Sequence, residues 1–280
     1  MAFPTETVYG LGANALDPAA IEKIYAAKGR PPTSPLIVHV SSIEMARSLV
    51  REWPPRAEQL ARIFWPGPLT LVLPKQPHVP DCLTAGLDTV GVRMPAHPIA
   101  QALIREAGVP IAAPSANMFG GLSPTTAPHV REALGDRVAM LLDGGPSKVG
   151  IESTVLSLAG PEALLLRPGM VTQQEIEAVI GPVRVLKQAT EGPHSSPGLH
   201  ARHYSPKTPL LLIEPGQVPT AGRGICIQMP ADPDDYAAAL YERLHEADAQ
   251  GWDWIAIEQP PRTEEWSAIR DRLERASYRS

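Results

Sequence analysis

Apolar positions in this chain come in short runs, and almost every run is closed by proline or glycine. Continuous or alternating runs predict strands; apolar residues returning every three or four positions predict helices. Strands are therefore expected at residues 3–9, 36–40, 69–73, 89–93, 109–113, 138–142, 153–158, 163–166 and 183–186. Helices are expected at 18–28, from Ser41 or Ser42 to 51, at 55–64, 99–107 and 128–134, and from a Thr172–Glu175 capping box to 180. Pro, Gly, Ser and His dominate residues 187–209, which read as a linker. Beyond it, strands at 210–213, 225–229 and 254–258 alternate with helices at 233–249 and 264–276, the order of a small α/β layer with a parallel sheet.

The run from Phe3 to Arg30 organises the rest. Its strand breaks at Gly10 and Gly12, which reach backbone angles closed to other residues. Asp17 is a good N-cap, Pro18 suits the first helical position, and Ile21, Ile24 and Tyr25 make the apolar face. Gly29 ends the helix, and Pro31 and Pro32 prevent its return. Lys28 and Arg30 are thereby held at a stiff corner near Thr5 and Thr7, as an anion site requires; the alternative is that Lys28 only caps the helix dipole. His39 interrupts an apolar strand. A lone histidine there is more often a satisfied core residue, and the proximity of Lys28 and Arg30 in sequence favours function. Ser115, Asn117 and Ser123 stand beside Gly120 and Gly121 in a patch of small polar residues. Turns are made of the same residues, but the length of the patch and its place after a strand favour a ligand loop.

Composition narrows the classes. The chain has 280 residues, room for one large domain or two smaller ones, and is 44% hydrophobic but only 5% aromatic, so its core is aliphatic. A net charge of −5 argues against tight binding of nucleic acid through its phosphates. Two distant cysteines, Cys82 and Cys226, offer neither a disulfide framework nor a zinc site, and fit a reducing cytosol. No signal peptide or membrane-spanning run is visible. The P-loop, zincin, nucleophile-elbow and C-x-x-C motifs are missing, and His200 and His203 form an H-x-x-H with no third ligand in view. What remains is cations on a rigid corner, small-polar loops at strand ends, and Arg93 and Arg167 at two more strand ends. That set suits a polyanion such as a nucleotide, and a reaction driven by positioning and charge neutralisation. Glu6 and Glu152 are acid–base candidates that could equally be structural.

The motifs P-T-E-T-V-Y-G-L-G-A-N-A, K-G-R-P, P-L-I-V-H-V, W-P-G-P-L-T-L-V-L, V-G-V-R-M-P, A-P-S-A-N and S-T-V together resemble the YrdC-type threonylcarbamoyl-AMP synthases over residues 3–186. The linker S-P-G-x-x-x-R-H-Y-S-P and the last segment resemble the family's long, two-domain form. The resemblance implies an α/β fold: a twisted open mixed sheet around a large concave cleft at 1–186, a lid at 187–209, and a small Rossmann-like α/β domain at 210–280. It implies a cytoplasmic nucleotidyltransferase that converts L-threonine, bicarbonate or CO₂, and ATP with Mg²⁺ into threonylcarbamoyl-adenylate and diphosphate. The product would pass to a separate transferase that modifies tRNA, with direct tRNA binding weak or absent and no metal ligands from the protein. By similarity Lys28, Arg30, Ser115 and Asn117 are the signature catalytic set. Arg30, Ser34, Thr89, Ser115, Ser123, Arg167 and Tyr204 would hold ATP, and Thr7, His39, Arg93, Ala113 and Ser153 would hold threonine. The chain departs from the family in three ways. It begins inside the first motif, so either its start is misassigned or the sheet lacks an edge. It carries Ser34 where asparagine is frequent, and only a loop where the long form has a helix, between Ile213 and Ile225. Alternatives are an RNA-binding module of the same fold, and a carbamoyl-adenylate-forming relative whose zinc modules two cysteines cannot build.

Overall fold

The computed structural model describes residues 1–186 and 204–277; His200, His203 and most of the expected lid lie outside the described residues. Strands form at Ala2–Phe3 (β1), Gly10–Leu11 (β2), Ala13–Asn14 (β3), Ile37–His39 (β4), Leu69–Pro74 (β5), Thr89–Arg93 (β6), Ile111–Ala112 (β7), Thr154–Ser157 (β8), Ala163–Arg167 (β9), Val183–Val185 (β10), Leu210–Ile213 (β11), Gly224–Ile227 (β12) and Trp254–Glu258 (β13). One mixed sheet runs in the order β10-β9-β8-β5-β6-β4-β7-β3. β4 and β6 are parallel, β5 opposes β6, β8 is parallel to β5, and β9 opposes β8. The C-terminal ends of β4, β6 and β9 and the N-terminal start of β8 therefore share one end of the sheet.

Strand periodicity divides the sheet into two faces. Val38, Leu69, Leu71, Leu73, Val90, Val92 and Leu156 face the main core, packed by Ile21, Ile24 and Tyr25 of helix Pro18–Lys28 and by Ala57, Leu60 and Ala61 of helix Pro55–Phe64. The alternate residues carry only a small cluster of Ile37, Val72, Val155 and Leu166, and most of this face is left to polar groups.

Local signals set the helix ends. The Asp17 side chain accepts from the Ala19 N–H, Gly29 takes the left-handed conformation at φ 60°, and both halves of the Thr172–Glu175 capping box are present. Two expected strands are not there. Residues 3–9 are not continuous, because the chain turns after Phe3. The Thr5 hydroxyl accepts from the N–H groups of Thr7 and Val8, both at 3.2 Å, and donates to the Val8 carbonyl at 2.6 Å. Such a side chain takes the hydrogen bonds a ladder would use. Residues 138–142 form no strand either: their one partner, β1, is two residues long, so pairing stops at a bridge between Ala2 and Leu141.

The last segment is the expected parallel layer, in the order β11-β13-β12, covered by helices Pro233–Asp248 and Ser267–Ser277. Residues 214–223 contain no helix. The layer's core also takes in Val8, Leu122 and Ile151 from the first part of the chain. Contact is close at Gly150, at φ +80°, where an added Cβ would stand 2.3 Å from the Ala237 carbonyl oxygen. Only glycine allows that approach.

Candidate active site

The shared strand ends open into a cavity lined by Thr5, Thr7, Arg30, His39, Arg93 and Arg167. His39 and Arg93 stand in register as the last residues of β4 and β6. Arg93 Nη2 lies 2.7 Å from a Glu6 carboxylate oxygen, and its Nε donates to the Gly67 carbonyl. The Glu6 candidate is thus committed to an ion pair. His39 is buried beside Arg93, which together push its imidazole down to about 3, so it is neutral at ordinary pH. Among the described residues its Nδ1 has no hydrogen-bond partner, an orphaned polar atom on the cavity wall.

Arg30 enters from the other side, just after the left-handed Gly29. It donates to the Ser34 hydroxyl at 2.6 Å and the Pro35 carbonyl at 3.1 Å. Burial lowers it to about 10, and the charge of Arg167 contributes, so the two guanidiniums converge on one space. Arg167, at the end of β9, donates to the Ser153 carbonyl at 3.1 Å and hydroxyl at 3.3 Å. The Ser153 hydroxyl also pairs with Thr70 at 2.8 Å. Such clustering of cations around a cavity suits an oxyanion.

Of the site residues expected from sequence, Thr7, Arg30, His39, Arg93, Ala113, Ser115, Ser153, Arg167 and Tyr204 line this one cavity. The others stand outside it. Lys28 is buried, and its ammonium donates to the Ser115 carbonyl at 2.5 Å and the Asn117 carbonyl at 2.6 Å, so it fastens the loop that carries Ser115. Asn117 donates from its amide to the Met118 and Gly121 carbonyls and holds the same loop closed. Ser34 lies behind Arg30. Ser123 donates to Glu152 at 2.5 Å. Thr89 lines a smaller hollow farther along the same sheet face, with Ile37 common to both.

Thr5 and Glu152 also line the cavity. Thr5, whose hydroxyl lies 2.9 Å from that of Thr7, carried a signal: two threonines before a glycine turn. Arg272, which pairs with Glu152, was missed altogether. Its signal was position, because Ala268, Ile269, Arg272, Leu273 and Ala276 form one buried stripe with an arginine inside it. Among the described residues no group of three or more His, Cys, Asp or Glu could hold a metal ion.

Residues 1–169 match the family model Sua5_yciO_yrdC, described as telomere recombination. The chain belongs to that family. Residues 171–277 match the family's partner model, threonylcarbamoyl-AMP synthase, C-terminal domain, so this is the long, two-part form. The threonylcarbamoyl-AMP synthase of Bacillus subtilis is 44% identical over 99% of this chain and 89% of its own length. That of Pyrococcus abyssi is 51% identical over 76% of this chain and 64% of its own length. The crystal structure of P. abyssi Sua5 complexed with L-threonine superposes with a TM-score of 0.92 at 40% identity, covering 99% of this chain and 89% of that one. The mixed open sheet with its C-terminal α/β layer is the family fold. No helix among the described residues is long and apolar enough to cross a membrane.

Proposed function

We propose that this chain is a threonylcarbamoyl-AMP synthase, joining L-threonine, bicarbonate or CO₂, and ATP into threonylcarbamoyl-adenylate and diphosphate. The observation that carries the reading is the convergence of Arg30, Arg93 and Arg167 on one cavity beside a neutral histidine and the hydroxyls of Thr5, Thr7 and Ser153. Its support from relatives is the full-length likeness to named synthases and to a Sua5 structure holding L-threonine.

In this reading Thr7, His39, Arg93, Ala113 and Ser153 receive threonine, and Arg30, Ser115, Arg167 and Tyr204 receive the triphosphate. Ser34, Thr89 and Ser123 act from outside the cavity. Lys28 and Asn117 set the loop that presents Ser115. Mg²⁺ enters with ATP as part of the substrate. The threonine amine adds to CO₂ and loses a proton, giving a carbamate. A carbamate oxygen then bonds to the α-phosphorus, and the bond to diphosphate breaks. Negative charge develops where guanidiniums already stand, so no side chain has to reorganise as it grows. The carbamate and the mixed anhydride both hydrolyse readily, which gives exclusion of water during the reaction its purpose. The product passes to a separate transferase that modifies tRNA, in the cytoplasm, with direct tRNA binding by this chain weak or absent.

The test is incubation with labelled L-threonine, bicarbonate, ATP and Mg²⁺. The expected result is threonylcarbamoyl-AMP and diphosphate in equal amounts. Diphosphate release that does not depend on threonine would overturn the reading.

A further inference from the structure

The arginines that line the cavity, Arg30, Arg93 and Arg167, come from the first part of the chain, yet one wall of the cavity is a carboxylate. Glu152 immediately precedes Ser153 and lines the same space as Arg30 and Arg167. Left alone, a negative charge there would repel both a triphosphate and a threonine carboxylate. It is not left alone. Arg272, fully buried on helix Ser267–Ser277, brings Nε to 2.7 Å from Glu152 Oε2. Its Nη2 donates to two backbone carbonyls, Glu152 at 3.2 Å and Pro168 at 3.1 Å. Those carbonyls belong to the residue just before Ser153 and the residue just after Arg167. The guanidinium carbon also stands 5.2 Å from the centre of the Tyr204 ring. Ser123 and Tyr241 complete the shell around the carboxylate.

We propose that Arg272 is a positioning residue of the cavity, supplied by the C-terminal layer: it cancels the Glu152 charge and holds the Ser153–Arg167 wall and the Tyr204 ring at their working distances. This rests on the synthase reading and adds to it a reason for the second layer to belong to the enzyme. A merely adhesive contact between two layers would be apolar, since a buried ion pair adds little to stability over a well-packed apolar one. Here the guanidinium is shared: Nη1 lies 2.7 Å from Asp271 Oδ2, a carboxylate that Arg275 also holds at 2.9 Å, while Nε meets Glu152, the carboxylate that lines the cavity.

The test uses the full chain and three variants, R272K, R272M and E152Q/R272M. Binding of inorganic diphosphate is followed by calorimetry, KM for ATP, KM for threonine and kcat by product formation, and folding by circular dichroism. R272M, with Glu152 uncancelled, is expected to lose about tenfold in diphosphate affinity and to raise KM for ATP similarly. R272K keeps the charge but loses the fork, so it should fall between R272M and the parent. E152Q/R272M strands no charge and should recover diphosphate affinity to within about threefold of the parent. A folded R272M with unchanged diphosphate affinity and unchanged KM for ATP overturns the proposal. Should R272M fail to fold, the double variant decides: a folded double variant with a tenfold loss of diphosphate affinity overturns charge cancellation. A parent chain that binds diphosphate but makes no adenylate would sink the synthase reading instead, and the calorimetric comparison would still stand.

Discussion

Along β5, Leu69, Leu71 and Leu73 meet the helices while Thr70 and Val72 meet the cavity side; along β6, Val90 and Val92 do the first and Thr89, Gly91 and Arg93 the second. One face of the sheet is paved with aliphatic side chains, and the other carries arginine, histidine, threonine and serine, nearly all of them buried. Burying polar groups is costly unless each finds a partner. On this face the partners are backbone carbonyls and hydroxyls for Arg30 and Arg167, and the Glu6 carboxylate for Arg93. The paved face therefore holds the fold together, and the polar face spends some of that stability on a binding site.

That division can be broken from either side. The largest effect is expected on the polar face. Arg30→Ala or Arg167→Ala should lower adenylate formation by about 100-fold or more with the circular dichroism spectrum kept, because each removes a fixed charge from the place where charge develops. A folded variant with near-normal turnover would dissolve the distinction. Leu71→Ala acts on the other face and should cost about 3 kcal/mol of stability, read as a lower denaturant midpoint, while the protein that remains folded keeps its KM values.

His39 sharpens the comparison through pH. Its imidazole is held near 3 when folded against about 6.5 unfolded, so the folded state resists the proton that the unfolded state accepts. The stability it contributes is complete above about pH 6.5 and is lost as pH falls toward 3, by at most about 1.4 kcal/mol per pH unit. In His39→Gln that part of the slope should vanish from a series of denaturation midpoints. The smallest effect belongs to neither face: Thr172→Ala removes half of the capping box on helix Gln173–Ile180 and should cost about 1 kcal/mol, with no change in activity.

Much of the site was legible because its residues cluster at strand ends. Arg93 and Arg167 each close a run of apolar residues, and a strand's end is where side chains leave the sheet for a loop; His39 stands out as the polar residue inside such a run. Thr5 was harder, since threonine favours strands and its turn-forming bonds are seen only when the backbone has already bent. For Lys28 the sequence shows a cation at a stiff corner, and only the folded chain shows that it fastens two carbonyls 87 and 89 residues away. Arg272 reads from sequence as a surface charge on an amphipathic helix, until the stripe of buried neighbours on either side of it is seen.

Local chemistry settled the elements: Asp17, Pro18 and Gly29 bound their helix, and Thr172 with Glu175 opens another, because caps and turns depend on neighbours a few residues apart. The period of two in each strand settled which residues share a face. It could not say which face would be covered, nor that Glu152 and Arg272, 120 residues apart, would meet across two layers. Those outcomes depend on the order in which eight strands stack and on where the last helix docks. Only the folded chain decides them, because they are set by the sum of many distant contacts and by no single stretch of sequence.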